Sequence, residues 1–327
     1  MKSHILTMII LSASAGGFRA EAQTFGNAVN YKVGSSPYSV VAADVNGDGK
    51  VDLISADEGS STLTILTNNG SGILSSNATC HGLSNPESVV SADVNQDGKV
   101  DLIAVCGGTR RLSVLTNDGS GGFVISGNYI GGDYPYLAIA EDVNGDGEKD
   151  LIGGNGNSLV VLTNVGDGNF VLASSPGTHG WSFTSGDFNG DGKLDLVQTG
   201  ASMVPTYHGY FMILTNSGNG TFSLSFTNSI STLWPGAISA ADLNGDRKVD
   251  LVIPDYNSTE GTNLIVFTNN GTGFLAFDST YAVTRGPECV IAEDVNGDGK
   301  KDLISTSWNL DSTFNGLSIL INNGSGK

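Results

Sequence analysis

Cysteine, proline, histidine and basic residues are all scarce in this 327-residue chain, and the shortages exclude several classes of protein. Three cysteines, Cys80, Cys106 and Cys289, are too few for a disulfide framework. Cys106 lies in an apolar run and is predicted to be a buried thiol, with a Cys80–Cys106 bridge as the alternative. Lys and Arg number 15 against 33 Asp and Glu, so the formal net charge is −18. A chain this acidic does not neutralise phosphates, which excludes nucleic acids and anionic membranes as partners and favours a cationic ligand.

Long apolar runs are also missing, and no segment approaches the 18 residues that a membrane-spanning helix needs. A short run, Ile5–Leu11, follows Lys2 and precedes small residues that end in Ala20-Glu21-Ala22. This order is typical of a secretory signal peptide. We therefore predict a signal peptide over residues 1–22 and a mature domain over 23–327, either secreted or held in the periplasm or at the cell surface, and monomeric.

Catalytic motifs are absent from the sequence. The four histidines (His4, His81, His179 and His208) have no metal-ligand spacing, and neither His-Glu-x-x-His nor Gly-x-Ser-x-Gly occurs. We predict no catalytic residues and no enzymatic activity. A hydrolase or lyase is the least favoured alternative.

An internal repeat is the strongest feature that the sequence does contain. The pattern Asp-x-Asn-x-Asp-x-x-x-Asp-Leu occurs six times, beginning at Asp44, Asp93, Asp142, Asp187, Asp242 and Asp294. A Thr-Asn turn such as Thr67-Asn68 follows each of the first five copies, and Ile321-Asn322 follows the sixth. In five units a proline lies seven residues before the motif. Three markers that repeat in phase indicate one structural unit of about 50 residues.

Each unit is predicted to form four short antiparallel strands, A to D, because Val/Ile/Leu-rich runs alternate with Asn-Gly and Gly-Ser turns. In the first unit, strand A covers Ser39–Ala43, strand B covers Asp52–Ser55 and strand C covers Thr62–Leu66, so that the acidic motif is the A–B turn and Thr-Asn begins the C–D turn. Repeated four-stranded units predict an all-β propeller. We predict six blades, with seven as the alternative.

The chain ends predict how the propeller closes. Phe25 lies twelve residues before Pro37, as Phe123 lies twelve before Pro135, so residues 24–33 resemble a strand D without its own blade. The last unit ends after strand C. We expect the N-terminal strand to complete the last blade and so remove an open sheet edge.

The acidic motif predicts a calcium site. In the first loop, Asp44, Asn46, Asp48 and Asp52 place oxygen-bearing side chains at positions 1, 3, 5 and 9. Calcium accepts six to eight hard oxygen ligands in flexible geometry, whereas zinc and copper favour His or Cys. Position 12 is never acidic, so the site is not an EF-hand. The predicted ligands are Asp44, Asn46, Asp48, Asp52, Asp93, Asn95, Asp97, Asp101, Asp142, Asn144, Asp146, Asp150, Asp187, Asn189, Asp191, Asp195, Asp242, Asn244, Asp246, Asp250, Asp294, Asn296, Asp298 and Asp302.

The charge distribution agrees with up to six calcium ions. Eighteen of the 33 acidic residues are motif aspartates, and the remaining 15 equal the number of Lys and Arg. The sites are not equivalent. The fifth loop has Arg247 where the others have Gly, which predicts strain in a left-handed turn and a competing cation, so the Asp242 site is the weakest candidate. Gln96 replaces Gly at position 4 of the second loop, a milder change.

These repeats resemble the FG-GAP/VCBS repeat family, which includes the β-propeller of integrin α subunits. The resemblance covers about residues 24–327 and depends on Asp-Val-Asn-Gly-Asp-Gly-Lys-x-Asp-Leu; the Phe-Gly and Gly-Ala-Pro halves of the name are missing, apart from Phe25-Gly26. It implies a calcium-stabilised, usually exported propeller used in adhesion or ligand binding, and it places the metal ligands on the motif residues given above.

Loop lengths point to a ligand face. They vary most between strands B and C, at the end of the blade opposite the acidic loops, and variable loops often carry binding. Aromatic and basic residues lie near these loops, among them Arg110 and Tyr134. We predict binding of an extracellular protein or carbohydrate there, with packing between blades as the alternative role of the rings. A purely structural secreted propeller is the second function considered. The candidate ligand-face residues are Tyr38, Tyr136, Trp181, Trp234 and Trp308.

Overall fold

The computed structural model describes residues 29–155, 158–178, 180–202, 208–230, 234–256, 263–307 and 316–324. Within them the chain forms 23 β-strands and one short 3₁₀ helix, Glu58–Ser60. The strands form six antiparallel sheets in which sequence neighbours pair, and the fold is an all-β six-bladed β-propeller. The predicted count of six is confirmed. No helix in the described part has the length and hydropathy for crossing a bilayer.

Blades 1 to 3 are complete four-stranded sheets, each built from consecutive strands. Their strands are β1 (Pro37–Ala43), β2 (Asp52–Asp57), β3 (Thr62–Asn68), β4 (Leu74–Cys80), β5 (Pro86–Ala92), β6 (Asp101–Cys106), β7 (Arg111–Asn117), β8 (Phe123–Ile130), β9 (Leu137–Glu141), β10 (Asp150–Asn155), β11 (Ser158–Asn164) and β12 (Phe170–Ser174).

Blades 4 and 5 also have four strands, and the described part of blade 6 has three. Their strands are β13 (Ser182–Gly186), β14 (Asp195–Ser202), β15 (His208–Asn216), β16 (Phe222–Ile230), β17 (Ser239–Ala241), β18 (Asp250–Asp255), β19 (Asn263–Asn269), β20 (Leu275–Ala282), β21 (Pro287–Glu293), β22 (Asp302–Ser307) and β23 (Gly316–Leu320).

The core lies along the middle strands of the blades. All six residues of β6 are buried, whereas β8 alternates between half-buried and exposed residues. Strands covered on both faces become continuously apolar, and an outer strand keeps the two-residue alternation. The apolar clusters therefore lie between successive sheets, as Ile54 and Leu63 of blade 1 do with Leu102 and Leu115 of blade 2.

The chain divides into two compact units. The first contains residues 33–181, which make blades 1 to 3, and residues 214–224. The second contains residues 182–213 and 225–327, which make most of blade 4 and blades 5 and 6. Each unit has its own core: that of the first includes Leu102 and Leu151, and that of the second includes Phe211 and Leu251.

The three cysteines test the prediction of a buried thiol against that of a disulfide. The cysteines are free and buried, with Cys106 only 1% exposed, so the buried-thiol prediction is confirmed and a Cys80–Cys106 bridge is not formed.

The closing strand was predicted over residues 24–33. Residues 24–28 lie outside the described residues, and 29–33 form no strand in the structure, so closure of the last blade by this segment stays a prediction.

Candidate metal centres and the opposite face

Each acidic loop connects strand A to strand B of a blade, as predicted, and its first aspartate is wrapped by backbone N–H groups. In the first loop, Asp44 Oδ1 accepts from Gly47 N at 2.8 Å, and Asp44 Oδ2 accepts from Gly49 N at 2.7 Å. Gly47 and Gly49 have φ values of 73° and 77°, a region that favours glycine. The sequence folds this way because the glycines let the chain turn back over the carboxylate.

The residues at positions 3 and 5 also bond within the loop. Asn46 Oδ1 accepts from Asp48 N at 3.0 Å, and Asp48 Oδ1 accepts from Lys50 N at 2.9 Å. Asp48 Oδ2 lies 3.3 Å from Lys50 Nζ. Similar lysine–aspartate pairs occur in the second, fourth, fifth and sixth loops. These ion pairs are exposed and place a cation beside a predicted calcium ligand.

The aspartate at position 9 differs from the other three predicted ligands because it is fully buried in all six loops. Asp52 Oδ2 accepts from Val45 N at 3.1 Å, and Asp52 Oδ1 accepts from Asn68 N at 2.8 Å. This carboxylate therefore ties the start of the acidic loop to the C–D turn of its own blade. Each oxygen keeps a second lone pair that a cation could use.

Burial acts on the pKa of these aspartates. Desolvation raises the pKa of Asp101 and Asp150, and it raises the pKa of Asp250 to about 6. The carboxylates at positions 1 and 5 raise these pKa values further, while hydrogen bonds from backbone N–H groups oppose the rise. A bound cation would offset the repulsion among the three carboxylates.

Two buried carboxylate oxygens without hydrogen bonds show whether the loops have room for a cation ligand. Within the described part of the chain, Asp93 Oδ1 in the second loop and Glu148 Oε2 in the third are buried and accept no hydrogen bond. Three Asp, Glu, His or Cys side chains do not converge as a ready metal cluster anywhere in the described ranges. The donor set is nevertheless made of hard oxygens, as calcium prefers, and one of them, Asp93 Oδ1, lacks a hydrogen-bond partner. The residues fit calcium by chemistry, and calcium binding stays a prediction.

The second and fifth loops each place a non-glycine residue where the backbone is left-handed. Arg247 has φ 67° and Gln96 has φ 58°, both in the left-handed region where a non-glycine residue is strained. Arg247 N still donates to Asp242 Oδ2 at 2.8 Å, so the fifth loop keeps its shape. The predicted left-handed turn at Arg247 is confirmed, and the strain stays a prediction.

The asparagine of the Thr-Asn turn is the residue whose importance the sequence analysis missed. Asn117 Nδ2 donates to Val45 O in the acidic loop of blade 1 and to Val100 O in its own loop, both at 2.8 Å. Its Oδ1 accepts from Gly119 N at 2.8 Å. The signal was present, because the asparagine recurs in phase with the motif, but it indicated only a turn.

The candidate ligand-face residues lie at the other end of strand A. Tyr38 and Tyr136 are half-buried, whereas Trp181 and Trp234 are 37% and 40% exposed. Each of the four precedes the acidic loop of its blade by the length of strand A, so it lies at the opposite end of that strand. Trp308 lies outside the described residues. A ligand at this face stays a prediction.

In the first unit, this end of the blades carries a stacked pair. The guanidinium carbon of Arg110 lies 4.3 Å from the ring centroid of Tyr134, and Arg110 Nη1 lies 2.9 Å from Asp133 Oδ1. Tyr134 is 57% exposed, and Arg110 and Tyr134 have φ values of 57° and 51°. At the equivalent position between blades 1 and 2, Asn85 N donates to Ser61 Oγ. Blades 2 and 3 thus present an aromatic and charged cluster where the preceding pair presents small polar residues.

Comparisons with known proteins support the repeat and the fold. Residues 44–104 and 142–197 match the FG-GAP-like repeat, so the chain carries FG-GAP-like repeats, as the resemblance implied. A comparison with curated protein sequences finds no match.

Solved structures share the fold at low identity. A lectin of Agrocybe aegerita that recognises non-reducing terminal N-acetylglucosamine has a TM-score of 0.51 and 19% identity, over 88% of this chain and 81% of the lectin. A protein from Lactobacillus plantarum has a TM-score of 0.52 and 14% identity, over 77% and 73% of the two chains. A Bacteroides uniformis protein with a provisional 6-phosphogluconolactonase assignment has a TM-score of 0.51 and 16% identity, over 88% and 79%. These likenesses show the fold alone, and FG-GAP-like repeats on a propeller fit an interaction module.

Proposed function

From FG-GAP-like repeats on a six-bladed propeller, we propose that this chain is an exported, calcium-stabilised interaction module that binds an extracellular carbohydrate or protein. The observation that carries the proposal is the acidic loop, repeated six times with the same oxygen-bearing residues in the same backbone setting. The proposed binding surface is the end of the blades opposite these loops.

The calcium part of the proposal assigns positions 1, 3, 5 and 9 of each loop, with the carbonyl of position 7, as ligands. In the first loop these are Asp44, Asn46, Asp48 and Asp52, with the carbonyl of Lys50. The ion would supply positive charge beside the three carboxylates of the loop and would release the lysine from its pair with Asp48. Six ions would change the net charge from −18 to −6. Extracellular modules bind calcium at about 10⁻⁴–10⁻³ M, which suits an exported protein.

Thermal melting tests this part. The purified protein is melted in 5 mM calcium, in magnesium and in EGTA, and calcium is counted by equilibrium dialysis. Ions bound at about ten times their Kd contribute about 1.4 kcal/mol each, so we expect the Tm in calcium to exceed that in EGTA by about 10 °C or more. Equal Tm values in calcium and EGTA, with no calcium retained, would reject the calcium sites.

The ligand part is supported by the Arg110–Tyr134 stack and its ion pair with Asp133. An exposed ring beside fixed hydrogen-bonding groups suits a sugar face or a peptide side chain. The exposed ring of Trp181 is a second candidate contact. The fold is shared with a lectin, so a propeller of this kind can carry a sugar site.

An array of glycans and matrix proteins tests the ligand face. We expect the wild-type protein to bind a ligand and Tyr134→Ala to lower the affinity by about tenfold or more. Trp181→Ala tests the second contact, and Ile73→Ala, which removes an exposed apolar side chain from the C–D turn at the acidic-loop end, is the control that keeps binding. A ligand whose binding is unchanged in both aromatic variants would reject this face, and turnover on a hydrolase panel would favour the enzyme alternative.

A further inference from the structure

We infer that the C–D turn asparagines of blades 2 to 6 are positioning residues for the cation sites of the preceding blades, so that each of the first five acidic loops is completed by the next blade along the chain. This inference rests on the proposed calcium function and adds that each site depends on the blade that follows it. The residue that orders one loop belongs to the next blade along the chain.

The contact between blades 1 and 2 shows the arrangement. Val45 occupies position 2 of the first loop, between the predicted ligands Asp44 and Asn46. Val45 N donates to Asp52 Oδ2 at 3.1 Å, and Val45 O accepts from Asn117 Nδ2 at 2.8 Å. Both peptide groups of this residue are therefore fixed, one by its own blade and the other by the next.

The same bond recurs within each compact unit. In the first unit, the asparagines of blades 3 and 4 donate to position 2 of the preceding loops, and in the second unit those of blades 5 and 6 do so. The pairs are Asn164 to Val94 O at 2.7 Å, Asn216 to Val143 O at 2.7 Å, Asn269 to Phe188 O at 2.9 Å and Asn322 to Leu243 O at 2.8 Å. The first four asparagines, counting Asn117, are at most 5% exposed. Buried amides that recur with the same acceptor are structural devices, not incidental surface contacts.

The turn also packs directly on the neighbouring loop. A Cβ placed on Gly121 of blade 2 would lie 3.8 Å from Val45 Cγ2, and one on Gly168 of blade 3 would lie 3.5 Å from Val94 Cγ2. Asn77 Nδ2 donates to Ser120 O at 3.4 Å, and Gln96 Nε2 in the second loop donates to Gly147 O in the third loop at 3.3 Å. The C–D turn of one blade and the acidic loop of the preceding blade therefore form one packed layer.

These bonds hold the predicted ligands of the first loop in place before an ion binds. Asp44 and Asn46 flank Val45, so rotation of either Val45 peptide group would move both predicted ligands. Groups outside the ligand shell that fix ligand orientation typically change metal affinity by about 10–100-fold when they are removed. We expect Asn117→Ala to weaken calcium binding at the first loop by about tenfold, although Asn117 is neither in that loop nor in that blade.

The test introduces Asn117→Ala into two variant proteins, each of which has one acidic loop disabled. Asp44→Asn/Asp48→Asn disables the first loop, and Asp93→Asn/Asp97→Asn disables the second. Calcium is counted by native mass spectrometry at a concentration that just fills the parent protein. We expect Asn117→Ala to remove one ion when the second loop is disabled and none when the first loop is disabled.

The control is Asn68→Ala. Asn68 occupies the same turn of blade 1, and in the structure its Nδ2 donates to Val51 O of its own blade at 3.0 Å. Should Asn117→Ala fail to fold, the half-buried Asn322, which contacts the fifth loop, provides the second variant, read against a disabled fifth or sixth loop.

The outcomes separate the two proposals. Absence of calcium from the wild-type protein rejects the calcium function itself. Wild-type binding that Asn117→Ala leaves unchanged, or lowers at the second loop instead of the first, overturns the inference and leaves the calcium function in place. Loss of one ion that is specific to the preceding loop supports the inference.

Discussion

The backbone N–H of Asn117 donates to Oδ1 of Asp101 at 2.9 Å, and this bond joins the C–D turn of blade 2 to the last aspartate of its acidic loop. The other oxygen, Asp101 Oδ2, accepts from Val94 N at 3.2 Å. Asp101 is fully buried. The position that the sequence analysis assigned to a cation therefore also holds the blade together without one.

Asp101 and Asp97 are predicted to contribute unequally to stability in the absence of calcium. Asp101→Ala leaves two buried N–H groups without acceptors and should lower the free energy of unfolding by about 3 kcal/mol. Asp97, in an exposed ion pair with Lys99 at 3.2 Å, contributes little. Asp97→Asn should leave the free energy of unfolding nearly unchanged, and urea unfolding in EGTA measures both.

In calcium, the Asp97→Asn variant should become destabilised relative to the wild-type protein. Asp97→Asn is expected to lose part of the calcium-dependent gain in Tm, because it removes a predicted ligand charge. If Asp101→Ala is as stable as the wild-type protein in EGTA, its buried hydrogen bonds do not have the structural role assigned here.

Arg247→Gly is predicted to stabilise the fifth loop. Arg247 has φ 67°, and left-handed backbone costs a non-glycine residue about 1–2 kcal/mol, of which the greater freedom of glycine in the unfolded chain returns part. We expect a gain of about 0.5–1 kcal/mol in the free energy of unfolding, measured in urea, and tighter calcium binding because a competing cation is removed.

Gly49→Arg is the converse variant, since Gly49 occupies the same loop position with φ 77°. It should lose a similar amount of stability. A neutral effect of both changes would show that the backbone at this position carries no strain.

The buried thiols predict a loss of stability in alkali. Burial raises the pKa of Cys80 and of Cys289 from 9.0 to about 11. The unfolded chain therefore releases these protons at lower pH than the folded chain. The contribution of the two thiols to the free energy of unfolding is complete below about pH 9 and is lost as the pH rises toward 11. Urea unfolding at pH 8, 9, 10 and 11 measures this loss.

The double variant Cys80→Ser/Cys289→Ser should have a flatter pH profile than the wild-type protein over this range. At pH 8 a thiol reagent should modify the native protein slowly and the urea-unfolded protein quickly, because only the thiolate reacts. Fast modification of the native protein would contradict the buried environment.

Export predicts a defined N-terminus. When the full chain is expressed in a host that processes secretory signals, the mature protein should begin at Gln23, as measured by intact mass. Ile9→Arg interrupts the apolar run and should leave the chain unprocessed. A wild-type chain that keeps residues 1–22 would contradict the signal peptide.

Much of the fold could be predicted from the repeat, and the site only in part. The Val/Ile/Leu-rich runs and Asn-Gly turns are local signals, so the count of six blades followed from spacing, and a strand predicted over Thr62–Leu66 is observed over Thr62–Asn68. The partner of Asn117 could not be predicted, because Val45 is 72 residues away and its carbonyl carries no sequence signature. The pairing of Lys50 with Asp48 was also missed, since the sequence analysis considered Asp48 only as a metal ligand.

The sequence alone determined the repeating unit, the concentration of negative charge in the six loops and the glycines that permit their turns, because each of these depends on residues close together in the chain. Only the tertiary structure decided that the ninth motif residue is buried and bonded at both oxygens, and that Arg110 stacks on Tyr134. Those outcomes depend on which blade lies against which loop, and the free energy of such contacts comes from groups that packing alone brings together.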